Sequence, residues 1–357
     1  MNLINKIKFL FKRPKVVIVT GEGRACAKEA IYQVLNPYFK IDSEILIFDS
    51  DLTNPSSVET LKFLIKNSSL PILVVTQVGD IPFDKDFFAG EREKTLAIRT
   101  LAKTMPAQGF LILNFDDETV REIKADAIAH SLTFGFQEGA DFQATDIKLN
   151  SGTNFKINYK GNTVPVWLEK LFGKEQVYSA LGATALGIIF DLNLVEISQA
   201  LKDYHSLPGK MKLIEGIKHS WVLDNSESAT VFSMAEAIEI LGKISPPPNF
   251  GGGRKIAVLG DVIGIGKYTV EAHEAIGERV ARNADLLFTF GPRAKFIGQG
   301  AQNKGMTVEK IFQFDTIDEG KIKLQDEIKE GDLILVDGSK EMEMKKVVEE
   351  IKFWKLK

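Results

Sequence analysis

The residues best placed to do chemistry lie in the turn Gly21-Glu22-Gly23-Arg24, between the apolar run KVVIVT at 15–20 and a helical stretch from Ala25 to Leu35. A strand, a glycine turn and a helix in that order aim backbone N–H groups and a helix N-terminus at one spot, which favours an anion such as phosphate. A working nucleotide loop also needs a lysine for the β/γ-phosphates and a hydroxyl for Mg²⁺. Here Arg24 supplies charge, while Ala25 supplies no metal ligand. Cys26 stands where the third glycine of a dinucleotide fingerprint would fall. By itself the turn reads as a plain βα connection.

Other candidates are weaker. In Gly264-Ile265-Gly266-Lys267-Tyr268-Thr269 a tyrosine takes the Ser/Thr position and the glycine spacing is wrong for a phosphate loop, so the segment reads as the entry to a helix over Val270–Ala281. His130, His205, His219 and His273 show no metal-ligand spacing and read as surface or capped residues. Cys26 has no evident histidine partner and no Gly-x-Ser-x-Gly elbow occurs, which argues against nucleophilic catalysis. Asp116-Asp117 follows a strand end, where α/β sheets hold ligands. The competing reading is an N-cap with Glu118 in the first helical turn.

The elements that must position these residues alternate. Buried-strand patterns at Glu44–Phe48, Ile72–Thr76 and Phe110–Asn114 are separated by helical patterns such as Ser57–Lys66 and Glu91–Thr104. That alternation predicts a doubly wound parallel sheet. Residues 131–172 change to short alternating segments, with Phe155–Tyr159 and Val164–Trp167 forming a hairpin across Gly161-Asn162. Helices are expected again at Val177–Phe190 and Leu194–Tyr204. A second α/β unit starts near Leu207-Pro208-Gly209, with strands at Trp221–Asp224, Ile256–Leu259, Leu286–Phe290 and Leu333–Val336 and a proline- and glycine-rich loop at 245–253.

Composition sets outer limits. A chain of 357 residues that is 44% hydrophobic and 26% charged has material for two or three cored domains. Its net charge of −3 gives no general attraction to nucleic acid. One cysteine precludes an internal disulfide and suits the reducing cytoplasm, and no apolar run reaches the roughly 20 residues of a membrane span. The first fifteen residues, MNLINKIKFLFKRPK, mix apolar side chains with lysines and lack the apolar core and cleavage site of a signal peptide. They read as a basic amphipathic arm packed on the body, with contact to the inner membrane face as the competing reading.

Nine segments share an order and spacing: VTGEGRACAKEAIYQVL, LVVTQVGDIPFDKDFF, GFLILNFDDETV, FGFQEGADF, LPGKMKLIEG, LDNSESATVFSM, RKIAVLGDVIGIGKYTVEAHEAIGERV, LLFTFGPRAKFI and GDLILVDGSKEMEMKKVVEEI. Together they resemble the Mur ligases, nearest the branch that adds D-alanyl-D-alanine. The resemblance implies a central P-loop-type parallel-sheet domain with a small antiparallel part at 15–206. A Rossmann-like C-terminal domain at 207–357 follows, behind the arm at 1–14. It also implies ATP and Mg²⁺ as cofactors of an amide-forming reaction that passes through an acyl phosphate.

The same resemblance assigns positions and exposes departures. It places nucleotide contacts at Gly21, Gly23, Arg24, Lys210 and Asp224, and metal contacts at Asp49 and Asp84, the latter where the family has a histidine. Ile98 falls where the family carries a carbamylated lysine, and Lys94 or Lys103 could replace it only if the alignment slips. The phosphate loop is one residue short, Lys210 replaces an arginine, and Asp337 and Lys340 in Asp-Gly-Ser-Lys replace Lys-Gly-Ser-Arg. A substrate-binding stretch after Lys40 and the UDP-sugar domain are expected to be missing. Departures centred on the chemistry, within a retained frame, lead to the expectation of a pseudoenzyme that binds or regulates a cell-wall partner such as an active Mur-type ligase. A divergent ATP-dependent carboxylate–amine ligase is the alternative.

Overall fold

The computed structural model describes residues 3–78, 89–227, 229–245 and 253–354. The proposed metal contact Asp84 and most of the 245–253 loop lie outside them. Two compact units result, Met1–Lys148 with Asn154–Leu168 and Lys174–His205, and Ser206–Lys357 with Leu149–Thr153 and Glu169–Gly173.

In the first unit the chain runs α1 (Leu3–Lys12), β1 (Lys15–Thr20), α2 (Arg24–Leu35), β2 (Ile45–Ser50), α3 (Pro55–Asn67), β3 (Pro71–Val75), α4 (Ala89–Thr104), β4 (Phe110–Asn114), α5 (Glu118–Ile123) and β5 (His130–Gly135). Strands β6 (Phe142–Leu149), β7 (Gly152–Tyr159) and β8 (Asn162–Glu169) follow, then helices α6 (Lys174–Ile189) and α7 (Leu194–Leu201). The sheet order is β2-β1-β3-β4-β5-β6-β7-β8. Its first five strands are parallel, with Ile18 opposite Phe48 on one side and Leu73 on the other.

The unbroken apolar runs in β1, β3 and β4 follow from burial on both faces. Val16, Ile18, Leu73, Val75, Leu111 and Leu113 share one core with Phe9, Leu61, Leu64, Ile98, Leu101 and Val120 from α1, α3, α4 and α5. The alternate residues face the other way, where α2 and α6 pack on the sheet. Local chemistry sets the helix starts: Asn54 caps α3 ahead of Pro55, and Asn193 and Glu196 form a capping box on α7.

The second unit is built from β9 (Lys212–Glu215), β10 (Trp221–Asn225), α8 (Val231–Lys243), β11 (Lys255–Gly260), α9 (Thr269–Asn283), β12 (Leu286–Phe290), α10 (Lys295–Asn303), β13 (Ile311–Phe314), α11 (Ile317–Glu327), β14 (Leu333–Asp337) and α12 (Lys345–Ile351). Its sheet order is β13-β12-β11-β14-β10-β9, parallel except for the antiparallel edge strand β9. Met234, Ile238, Ile276, Val280, Ile297 and Ala301 from α8, α9 and α10 cover one face. Leu324, Ile328, Val347 and Ile351 from α11, α12 and their flanks cover the other. The lysine-bearing segment at 264–269 enters α9 through a short 3₁₀ turn, as its sequence suggested.

Helices α9 and α10 touch backbone to backbone. A methyl group on Gly277 would overlap the Ile297 carbonyl oxygen, and one on Gly300 would overlap that of Glu274. Gly300→Ala would gain up to about 1 kcal/mol of helix propensity but force the helices apart, so the net expectation is destabilisation of roughly 1–2 kcal/mol. Urea denaturation of the variant checks this, and an unchanged or raised midpoint would show that the two helices separate freely.

Candidate functional site

The turn after β1 forms as its glycines require, with Gly21 at φ 102 and Gly23 at φ 73. It does not stand open. The Glu22 N–H donates to the Gln77 carbonyl (2.6 Å), the Thr76 N–H to that of Thr20 (3.0 Å), and the Thr76 hydroxyl lies within hydrogen-bond reach of the Thr20 and Glu22 carbonyls. The end of β3 therefore holds the turn in place.

Two cation–carboxylate pairs flank it. Lys28 on α2 donates to Asp49 at the end of β2 (2.7 Å), and the Arg24 guanidinium lies 3.8 Å from the Asp51 carboxylate and 3.4 Å from the Gly21 carbonyl. Arg24 Nε is buried, with no hydrogen-bond partner among the described residues. Asp49, the proposed metal contact, is thus matched to a lysine. Among the described residues no group of three or more histidine, cysteine, aspartate or glutamate side chains is arranged to hold a metal.

A residue that sequence reasoning passed over occupies the other side. Glu175, in the first turn of α6, packs its side chain on Gly23: a Cβ there would stand 2.8 Å from Glu175 Cγ and 3.4 Å from its Oε1. That Oε1 is buried and has no hydrogen-bond partner among the described residues. A carboxylate oxygen beside an anion-seeking helix start opposes a phosphate at the same place. The contact joins residues distant in sequence, and only the glutamate's position at a helix start could have drawn attention to it.

Cys26 is structural. Tyr204 donates its hydroxyl toward Gln176 Oε1 (2.8 Å) and the Cys26 carbonyl (3.2 Å), and the Gln176 amide lies 4.0 Å from Cys26 Sγ. The acidic pair after β4 is structural as well. Asp117 caps α5 through Val120 N–H (3.0 Å) and accepts from Val78 N–H (2.8 Å). Asp116 accepts from the Phe136 and Gln137 N–H groups and from the Tyr178 hydroxyl (2.7, 2.9 and 3.0 Å). Ile98, where the resemblance expects a lysine, is core.

In the second unit Asp224 is consumed by its own loop. It accepts from Gly209 N–H (2.9 Å) and from the Ser226 N–H and hydroxyl (3.2 and 2.7 Å). Adjacent strands bring Asn225 opposite Asp337, and the Asn225 amide donates to Asp337 Oδ2 (2.9 Å). Asp337 is fully buried, and its Oδ1 has no hydrogen-bond partner among the described residues. Burial pushes its carboxyl up to about 8, against the opposing pull of the Asn225 amide, the Gly338 N–H and the positive charge of Lys210. Lys210 therefore lies near enough to Asp337 to be felt by it, which places two of the sequence-selected residues in one neighbourhood. His130, His205 and His219 are exposed. His273 is buried, accepting Val262 N–H at Nε2 (3.2 Å) and donating Nδ1–H to the Thr269 carbonyl (2.7 Å), and burial lowers its pKa.

Comparison with known proteins places this geometry in a family. The model described as Mur ligase middle domain matches residues 85–187, and that described as Mur ligase, glutamate ligase domain matches residues 210–340. The chain belongs to the Mur ligase family. It is similar to the UDP-N-acetylmuramoyl-tripeptide–D-alanyl-D-alanine ligase of Bacillus subtilis, 21% identical over 363 residues, covering 94% of this chain and 76% of that protein. The Escherichia coli ligase of the same name is 27% identical over 249 residues, 68% of this chain and 52% of that one. Among solved structures, MurF from Acinetobacter baumannii superposes with a TM-score of 0.79 at 19% identity, covering 96% of this chain and 78% of that one. MurF from Thermotoga maritima in complex with ADP gives 0.76 at 19%, covering 97% and 81%. The α/β fold is thus the Mur ligase fold.

Set against the Mg²⁺-ATP that the family implies, the donor set at the β1 turn fits poorly. Ala25 brings no hydroxyl, Asp49 and Lys28 are engaged with each other, and Glu175 puts negative charge beside the anion seat.

The Asp337 carboxyl gives this site a pH signature. An unfolded aspartate loses its proton near 3.8, while the folded chain keeps it up to about 8. Between those values the folded state binds the additional proton, so this group's contribution to stability is complete below pH 3.8 and declines as pH rises toward 8. Asp337→Asn removes the decline, and the variant should gain on the wild type by about 1.4 kcal/mol per pH unit between about pH 4 and about pH 8. Urea midpoints across that range measure it. A constant difference would show that Asp337 ionises normally.

Proposed function

We propose that this Mur-ligase family protein keeps the ligase scaffold for binding, and serves as a regulatory or docking component in peptidoglycan-precursor metabolism instead of driving amide formation with ATP. One observation carries the reading: the Glu175 side chain packed on Gly23, where the start of α2 would otherwise receive phosphate. Tying of the turn by Thr76 and Gln77, the absent hydroxyl at Ala25 and the apolar Ile98 support it. An active ligase of the same family, or another cell-wall protein, is the partner this reading calls for. The relatives named above are ligases joining D-alanyl-D-alanine to a UDP-sugar tripeptide, and the chain spans from 31% to 76% of the curated relatives that match it first.

The second reading, a divergent ATP-dependent carboxylate–amine ligase, is favoured by Asp49 and Lys28 at the mouth of the sheet. A shift of the Lys28 ammonium from Asp49 to a phosphate would free both groups for the cofactor. The first reading instead makes their pairing the resting arrangement throughout.

Calorimetry distinguishes the two. Wild-type protein should bind Mg²⁺-ATP no tighter than millimolar. A charge about 6 Å from phosphate at an effective dielectric near 20 is worth about 3 kcal/mol before solvent screening, so Glu175→Gln should strengthen pyrophosphate binding roughly tenfold. Low-micromolar binding by the wild type, or substrate-dependent phosphate release with peptide and amine substrates, would favour the ligase reading.

Restoring single residues should not restore turnover, because members of a catalytic unit act non-additively. Arg24→Lys leaves Ala25 without a hydroxyl. Ile98→Lys puts an amine into the core and should cost about 1–3 kcal/mol of stability. Phosphate release by each single variant and by the double variant checks this, and turnover in either single variant would mean that the site is intact.

A further inference from the structure

Helix α1 is docked by its less apolar side. Phe9 is 6% exposed and sits in the first unit's core, 5.9 Å from the Phe63 ring. At 100° per residue, Ile7 and Phe11 lie on the side of the helix opposite Phe9, with Leu10 beside them. These three are 46%, 86% and 45% exposed. The helix thus spends one aromatic on attachment and leaves its main apolar stripe facing outward.

Charge accompanies the stripe. No acidic residue precedes Glu22, although the whole chain carries a net charge of −3. Lys6 and Lys15 are turned onto aromatic rings, Lys6 over Phe63 and Lys15 over Phe39 and Phe190. Lys8, Lys12 and Arg13 remain exposed beside the stripe. Scattered exposed apolar side chains are ordinary on a protein surface. Three on one helical face, with cations along one side and at its end on an otherwise acidic protein, match the pattern of helices that lie in the headgroup region of a membrane.

We propose that α1 seats the protein on an anionic lipid surface, with Ile7, Leu10 and Phe11 in the headgroup–acyl boundary and Lys8, Lys12 and Arg13 against lipid phosphates. The seat is peripheral: among the described residues no helix is long and apolar enough to cross a membrane. A ten-residue helix of about 15 Å with three apolar contacts gives reversible attachment, strengthened by the negative potential of an anionic leaflet. The choice of lipid over a protein partner rests on charge: the exposed Lys8 and Lys12 run along one flank of the ridge, Arg13 follows at the helix end, and no acidic residue interrupts them, which suits a laterally continuous negative surface. This proposal is independent of whether the β1 turn takes nucleotide.

Co-sedimentation of the full chain with vesicles tests it. The protein should pellet with phosphatidylcholine vesicles containing about 30% phosphatidylglycerol, and far less with phosphatidylcholine alone. Binding should weaken between about 50 mM and about 500 mM salt. Leu10→Ser with Phe11→Ser should lower the bound fraction about tenfold, and Lys8→Glu with Lys12→Glu should lower it comparably and remove the salt dependence. Thermal unfolding should be unaltered in both, since neither pair enters the core, and Phe9→Ala serves as the destabilised control. No pelleting with anionic vesicles, equal pelleting with neutral ones, or full binding by the serine variant would overturn the proposal. So would light scattering showing a wild-type dimer that the serine variant dissociates, which would assign the face to a second copy.

Discussion

A parallel sheet covered on both faces by helices leaves its side chains no access to solvent except at the strand ends. The rest of the first unit follows from that restriction. Backbone pairing consumes the interior of β1, β3 and β4, and two helical layers cover their side chains, so a ligand can be met only where strand gives way to helix. In this chain that edge is filled from within. Thr76 and Gln77 fasten the glycine turn, Lys28 and Asp49 satisfy each other, and Glu175 lies on Gly23. Each contact is weak by itself, and exposed ion pairs of this sort contribute at most about 1 kcal/mol. Their joint effect is to tie the turn to its neighbours, with Arg24 Nε and Glu175 Oε1 left without hydrogen-bond partners among the described residues.

The frame was legible in the sequence because burial leaves a strong local mark. KVVIVT, the run at 72–76 and Phe110–Asn114 could hardly be anything but strands buried on both faces, and they occur within a residue or two of the expected bounds. Gly161-Asn162 marked the hairpin for the same local reason, although β7 and β8 each extend further than the alternating cores suggested. The site was less legible. Glu175 meets Gly23, and Asn225 meets Asp337 across 112 residues of sequence, through strand order and helix placement that no local pattern encodes. His273 looked like its three counterparts in sequence, and only the fold separates it as a buried residue with both ring nitrogens satisfied.

The two units handle buried polarity in contrasting ways. In the first, Asp116 and Asp117 each accept from two backbone N–H donors of the loop framework. In the second, Asp337 has a single side-chain donor and one bare oxygen, so the neutral acid is the form that burial selects. Burial separates the two cases as much as donor supply does, since Asp116 and Asp117 are half-buried while Asp337 is wholly enclosed.

The interlock of Cys26 with Gln176 and Tyr204 has an experimental use. The chain's single thiol is buried on α2 where that helix packs against α6, so an alkylating reagent reaches it only after those helices part. The rate of iodoacetamide labelling at Cys26 therefore reports the opening frequency of the first unit alone, read by mass from a molecule with no second thiol to confuse the count.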